Sequence, residues 1–269
     1  MAMKSLASRA LKAIGLFDAA RRIKRRFDAR QVRSHRSRTL EFYRTFISAG
    51  DLCFDIGANV GARTDVFWML GARVVAVDPL PACIQSLQRL HDHHTNVKIV
   101  SKAVGAELGK AELIVNDNLS VVSTLSEEWR EAVVTSGRWS AGEWNRRITV
   151  AVTTLDALIA EHGRPDFCKI DVEGFERQVL MGLSQPIPRV SFEFTQERLE
   201  EVASCVERLE SLGQYTYNFS LGEQFELQLD ASCDPALLID KLGQRLCDEH
   251  FVSGDIYATA KNSRKHSIT

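Results

Sequence analysis

The stretch Asp51-Leu-Cys-Phe-Asp-Ile-Gly-Ala-Asn-Val-Gly61 constrains this chain more than any other. Leu52 to Ile56 form a short, mostly apolar run, as expected of a strand buried on both faces of a parallel sheet. The run breaks into a loop with Gly57 and Gly61, and a periodic segment (Val66, Phe67, Leu70) then predicts a helix ending at Gly71. Glycines let the backbone approach a ligand closely, and a helix N-terminus offers unpaired N–H groups. A second apolar run, Val74 to Val77, ends in Asp78-Pro79. A carboxylate at the tip of the neighbouring strand is placed to accept both hydroxyls of a ribose. Strand, glycine loop, helix, strand and acid together describe a nucleotide-binding α/β unit.

The loop does not suit a dinucleotide. A pyrophosphate loop reads G-x-G-x-x-G, whereas here Asp55 precedes Gly57, Asn59 and Gly61. An acid at that point repels a pyrophosphate and tolerates a cation. S-adenosylmethionine carries an adenosine and a positive charge, and it fits both halves of the stretch; NAD in a Rossmann-like loop is the competing reading.

At 269 residues the chain can bury one large α/β core with an appendage. A net charge of −1 conceals an asymmetry. Residues 1–50 carry 13 Lys and Arg against 3 Asp and Glu, and the remainder carries 21 against 32. Residues 1–49 read as a basic helical extension, with Met3, Leu6, Ala10, Ile14 and Phe17 on one face, followed by Arg21 to Arg26. Three uses remain open for it. Residues 1–30 could make peripheral contact with an anionic membrane surface, act as a targeting peptide, or pack on the domain or a second subunit. No apolar run is long enough for a transmembrane helix. The six cysteines include no C-x-x-C pair, which suggests reduced thiols and a cytoplasmic protein.

The domain itself is expected over residues 50–260. A helix over 39–49 should lay Leu40, Tyr43 and Ile47 over the sheet edge near the ligand. A second follows from Pro81 to Leu90 and stops at His91-Asp-His-His94, which reads as a solvated helix end rather than a metal site. The third strand is Val97 to Val100, and the turn after it places Ser101 or Ala103 beside an adenine. Residues 106–152 depart from strand–helix alternation. Ala111 to Val115 and Ile148 to Thr153 predict an inserted strand pair. The polar and aromatic stretch between them, with Asn116, Asn118, Trp129, Trp139 and Trp144, has the composition of a mobile substrate lid or an oligomer contact. Thr154 should cap a helix over Leu155 to Glu161.

The second informative stretch is Asp166-Phe-Cys-Lys-Ile-Asp-Val-Glu-Gly-Phe-Glu176. Phe167 to Ile170 predict a strand with Asp171 at its C-terminal end, where open α/β sheets bind ligands. The period of two puts Lys169 and Asp171 on one face. A lysine within a parallel sheet needs a partner, and Asp55 is the expected one. Glu173 and Glu176 stand at the positive end of the next helix. Val190 to Phe194 form a strand that brings Glu193 near Asp171. A helix over Glu197 to Leu212, strands at Tyr215–Phe219 and Asp255–Ala260, and a helix near Ala236–Leu246 complete the domain. Residues 261–269 read as a disordered tail.

DIGANVG at 55–61, VDP at 77–79, TTLD at 153–156 and KIDVEGFE at 169–176 together resemble the FkbM-type methyltransferase family. NFSLGE at 218–223 and GDIYA at 254–258 are similar to its C-terminal segments. The resemblance covers residues 50–260. It implies an α/β class I methyltransferase (Rossmann-like) fold, a seven-stranded sheet of order 3-2-1-4-5-7-6 with strand 7 antiparallel and helices on both faces. It also implies S-adenosylmethionine and O-methylation of a hydroxyl on a sugar, glycan, lipid or secondary metabolite. Asp78 stands where the family usually has Glu. Residues 1–49 lie outside the resemblance.

The candidate cofactor contacts are Asp55, Gly57, Asn59, Gly61, Asp78, Ser101, Ala103 and Lys169. A hydroxyl acceptor needs a base within hydrogen-bond reach, with Asp171 first and Glu193 or Glu173 next. A divalent cation on Asp171 and Glu193 is not favoured, because two carboxylates make a partial ligand set. A nucleic-acid methyltransferase would suit the basic arm, but the Asn/Asp-Pro-Pro-aromatic run of base-modifying enzymes is replaced here by Asp-Val-Glu-Gly. A non-catalytic binding module could keep the adenosine clamp; the acids at 171, 173 and 193 argue for turnover.

Overall fold

The computed structural model describes residues 36–116, 122–248 and 253–261. The basic arm of residues 1–30, Asn118 and the tail from 262 lie outside them. The chain divides into two compact units, residues 1–41 and 42–269, and the second holds the sheet and the site. Among the described residues no helix is long and apolar enough to cross a membrane.

Seven strands form the main sheet: β1 (Leu52–Ile56), β2 (Arg73–Val77), β3 (Val97–Val100), β7 (Phe167–Ile170), β8 (Arg189–Thr195), β9 (Tyr215–Leu221) and β10 (Ser253–Ala260). Their spatial order is β3-β2-β1-β7-β8-β10-β9, and β10 runs antiparallel to both β8 and β9. This is the 3-2-1-4-5-7-6 order implied by the sequence resemblance. Strand β1 is buried along its whole length because β2 and β7 flank it and helices cover both faces. The core gathers Phe54, Ile170, Leu180, Phe192, Phe219 and Ile256, each almost fully buried. Burial of this kind stabilises by roughly 25 cal/mol per Å² of apolar surface.

Helix α1 spans residues 36–43 and gives way to a turn, so it stops short of Ala49. The aromatic residues at its end do not lie over a sheet edge. Tyr43 meets Phe67 and Phe167 edge-on at 5.0 and 6.0 Å, and Phe46 stacks on Tyr257 at 4.8 Å. These contacts hold residues 43–46 over the sheet centre, where large rings fill more space than an edge offers.

Helices α2 (Ala62–Met69) and α3 (Pro81–His91) follow β1 and β2. The end of α3 is not simply solvated. His91 is 2% exposed, its Nδ1 lies 3.1 Å from Nδ1 of His94, and the His94 ring stacks on Trp68 at 3.9 Å. The histidines are used for packing.

The insertion builds a second sheet of β4 (Ala103–Val104), β5 (Gly109–Asn116) and β6 (Trp144–Thr153), in the order β4-β6-β5. The expected strand pair is present as the antiparallel β5–β6 ribbon. The stretch between them is less loose than its composition implies. Helix α4 (Glu127–Thr135) is capped by the Ser126 hydroxyl, which accepts from Trp129 N at 3.0 Å. Trp129 and Trp144 are buried with Val122 and Val133 in a small core of their own.

Helix α5 (Leu155–His162) starts at Thr154, whose Oγ1 accepts from Ala157 N at 3.1 Å. Helices α6 (Glu176–Met181), α7 (Leu199–Leu212) and α8 (Pro235–Asp248) complete the covering layers. Cys53, Cys83, Cys168, Cys205 and Cys233 are buried.

Candidate active site

The C-terminal ends of β1, β2 and β7 open onto a cleft. Gly57, Asn59 and Asp78 line its polar side, and Leu80, Ala103 and Leu113 its apolar side. Gly57 has φ +81°, and a Cβ there would sit 1.7 Å from the carbonyl oxygen of Asp171. Only glycine lets the β1 loop pass this close to the β7 loop.

Asp78 is 7% exposed and is fixed by backbone donors. Asn59 N reaches its Oδ2 at 2.9 Å and Leu80 N its Oδ1 at 2.8 Å. Each oxygen keeps a second lone-pair direction, so two hydroxyls of a ribose can still donate to it. Burial outweighs those two N–H donors and pushes its pKa up to about 6. Asn59 is held in the left-handed region at φ +49°, and Cys83 Sγ lies 3.3 Å from its Oδ1.

The remaining candidates for cofactor contact are placed differently. Asp55 is 1% exposed and accepts from Thr64 Oγ1 at 2.5 Å, tying α2 to β1 behind the cleft. Burial raises its pKa, and the Thr64 hydroxyl only partly offsets that. Gly61 is the N-cap of α2, packed beneath Leu87. Ser101 is exposed, while its neighbours Lys102 and Ala103 line the cleft.

Lys169 corrects an expectation. It stands opposite Asp55 in the β1–β7 register, but its ammonium is not paired there. Nζ donates to Asp171 Oδ2 and to Asp255 Oδ1, both at 2.9 Å. The Asp55 carboxylate is taken by Thr64, and the long lysine side chain extends across β8 toward β10. Asp255 is the partner of Lys169 that sequence reasoning missed. Its signal was a lone acid opening the apolar run Ile256-Tyr257-Ala258.

Asp171, Glu173 and Glu193 do come together, each offering a carboxylate oxygen within 4.8 Å of the others. Burial pushes the Asp171 carboxyl up, but the charge and hydrogen bond of Lys169 outweigh it and hold the pKa below the usual range. Glu173 is raised well above its ordinary value, by burial first and then by Asp171 and Glu176. Glu193 is raised likewise, by burial and then by Glu173 and Asp171. Closely spaced carboxylates whose pKa values are pushed apart are the raw material of acid–base chemistry.

The turn bearing these acids is held tightly. Glu173 has φ +55°, a strained conformation for a side chain of its kind. Thr124 Oγ1 donates to its carbonyl at 2.6 Å, and a Cβ on Gly174 would run into the Trp129 ring. Glu176, pushed up to about 7 by burial, accepts from Val172 N at 3.0 Å. It closes the turn that carries Asp171 and Glu173. The insertion covers this end of the site, with Arg138 3.5 Å from Glu197 and Ser136 Oγ donating to the same residue at 3.2 Å.

The family model described as the methyltransferase FkbM domain matches residues 55–219, the span that supplies both the cleft and the acids. The chain belongs to the FkbM methyltransferase family. An FkbM methyltransferase depends on S-adenosylmethionine, and the glycine loop with Asp78 suits that cofactor's adenosine. The chain is 30% identical over 156 residues to methyltransferase sdnD of Sordaria araneosa, covering 49% of its own length and 60% of that relative's. Among solved structures it is similar to the precorrin-6Y C5,15-methyltransferase of Geobacter metallireducens (13% identity, TM-score 0.44), covering 84% of this chain and 87% of that one. It is also similar to an S-adenosylmethionine-dependent O-methyltransferase of Thermotoga maritima (11% identity, TM-score 0.40), covering 86% of this chain and 66% of that one.

Proposed function

We propose that this FkbM methyltransferase is an O-methyltransferase acting on a hydroxyl of a sugar, glycan, lipid or secondary metabolite. The observation that carries the reading is the convergence of Asp171, Glu173 and Glu193 beside the cleft. A thiolate or an unprotonated amine attacks without help, whereas a hydroxyl needs a base. When bound, S-adenosylmethionine supplies a methyl group on a sulfonium, electrophilic enough for in-line displacement.

The chain's own residues do the rest. Asp78 would hold the ribose, and the Leu80, Ala103 and Leu113 wall would take the adenine. Asp171, kept ionised by Lys169, faces the positive charge and is a weak base. Glu173 and Glu193 have raised pKa values and are the stronger bases. One of them, in its ionised form, would take the proton of the acceptor hydroxyl as that oxygen is methylated, and would end as a protonated carboxyl. Holding the oxygen in line with the methyl contributes the larger share of the acceleration.

Labelled S-adenosylmethionine and a panel of sugars, polyols and hydroxylated lipids test the reading, with amines and nucleobases as controls. Label on a hydroxyl oxygen is the expected result. Transfer confined to nitrogen or carbon would overturn it.

A further inference from the structure

The acidic end of the cleft has a charge problem. Asp171, Glu173 and Glu193 offer carboxylate oxygens within 4.8 Å of one another, and Glu176 adds its own field to Glu173 and Glu193. Carboxylates this close cannot all be ionised unless a positive charge stands among them. Clusters of this type elsewhere are neutralised by a divalent cation. Here the chain supplies a cation of its own. Lys169 is 1% exposed, and both of its hydrogen bonds, to Asp171 and to Asp255, end in this region.

The neighbouring guanidiniums also ease charge here, Arg63 at Asp171 and Arg138 at Glu173, but their direct bonds lie elsewhere. Arg63 makes a two-pronged bond to Glu223 at 2.6 and 2.8 Å, with its guanidinium over the Phe225 ring. Arg138 pairs with Glu197. The position of Lys169 depends on Asp255. That residue faces Glu193 across the β8–β10 ladder, with the Tyr257 hydroxyl 3.5 Å from its second oxygen. With Asp171 as the sole partner, a four-carbon side chain would have several arrangements; with a second acid on the far side it has one.

We propose that Lys169, gripped by Asp255, is the resident counter-ion of the carboxylate cluster and fills the electrostatic role that a divalent cation would otherwise take. The inference rests on the reading of this cleft as a hydroxyl-methylating site. Lys169 keeps Asp171 ionised and lowers the energy of charge on Glu173 and Glu193, while Asp255 is a positioning residue that acts through Lys169. Turnover is therefore independent of added metal.

Two measurements on the full chain test this. The first is titration with Mn²⁺ followed by electron paramagnetic resonance, which needs no acceptor. The wild type should leave Mn²⁺ free, and Lys169→Met should bind it, because the three acids are then without a counter-charge. Stoichiometric Mn²⁺ on the wild type would overturn the proposal. The second is turnover after EDTA treatment. The wild type should be unaffected, whereas Lys169→Met should lose about 100-fold in kcat with unchanged affinity for S-adenosylhomocysteine. Loss of wild-type turnover in EDTA, restored by Mg²⁺, would also overturn it.

Should Lys169→Met fail to fold, Asp255→Asn keeps the ammonium and removes its anchor. It should lower kcat with little change in KM, and Asp255→Glu should restore part of the loss. Wild-type kcat in Asp255→Asn would refute the positioning role. A wild type that leaves Mn²⁺ free and methylates no hydroxyl would sink the O-methylation reading alone and leave the counter-ion standing.

Discussion

The two ends of the cleft hold their carboxylates by different means. At the cofactor end, Asp78 is fixed by the backbone N–H groups of Asn59 and Leu80, both on the loops that β1 and β2 run into. At the acceptor end, Asp171 and Asp255 are fixed by a lysine side chain, and three acids from β8 and the turn after β7 crowd around one another. Backbone donors are rigid and local, and they tolerate exchange of the side chains around them. Side-chain charges assembled from distant strands are mutually dependent, so a change at one alters the protonation of the rest. The first arrangement suits a constant ligand; the second suits chemistry that moves a proton.

The comparison breaks most visibly at the acceptor end. Glu193→Gln and Glu173→Gln, measured separately, should show one of the two losing about 10²–10⁴-fold in kcat, the range for a general base. Affinity for S-adenosylhomocysteine should stay at the wild-type level, as calorimetry can establish. If both variants turn over normally, the acids are not the proton acceptor.

At the cofactor end the effect should fall on binding. Asp78→Ala removes a charged acceptor of two hydroxyls, each such hydrogen bond worth about 1.5–3 kcal/mol. With both lost, a fall of about 100-fold or more in S-adenosylhomocysteine affinity is expected by calorimetric titration. An unchanged affinity would remove Asp78 from the ribose.

The raised pKa of Asp78, about 6, gives a smaller and more specific effect. Ribose hydroxyls donate to the ionised carboxylate, so affinity should climb as pH rises through about 6 and level off above. Binding should be about tenfold weaker at pH 5 than at pH 8, and Asp78→Asn should be flat over that range. Stability of the unliganded protein runs the other way. The fold binds this proton more tightly than the unfolded chain does, so the contribution of Asp78 falls as pH rises from about 4 to about 6.

Away from both ends, Thr154→Ala should cost about 1 kcal/mol of stability through the lost cap of α5, with kcat and affinity untouched. A fall in activity at that position would mean that α5 reports to the site in a way its contacts do not show.

Local pattern determined a good deal. The run Leu52–Ile56, its glycine loop and Asp78 could be read as one unit because their contacts form between segments close in sequence. Strands β1, β3 and β7 fall on the residues their apolar runs indicate. The cap at Thr154 and the inserted β5–β6 ribbon were legible for the same reason. So was the convergence of Asp171 with Glu193, since both lie toward the C-terminal ends of the parallel neighbours β7 and β8.

Tertiary structure decided the partners. Period two put Lys169 and Asp171 on one face, and they do bond; Asp55, the expected partner, stands opposite in the register, yet the second bond of the ammonium goes to Asp255, 86 residues along the chain. A lysine side chain spans more than one inter-strand spacing, so which strand it reaches depends on sheet order and on what already holds the nearer acid. The same reason governs the rings: Tyr43 and Phe46 fill the space above Phe167 and Tyr257, and Trp129 closes over Gly174. Sequence spacing specifies which face of a strand a residue is on. What lies across that face is set by the packing of segments far apart in the chain, and the charge balance of this site is set there too.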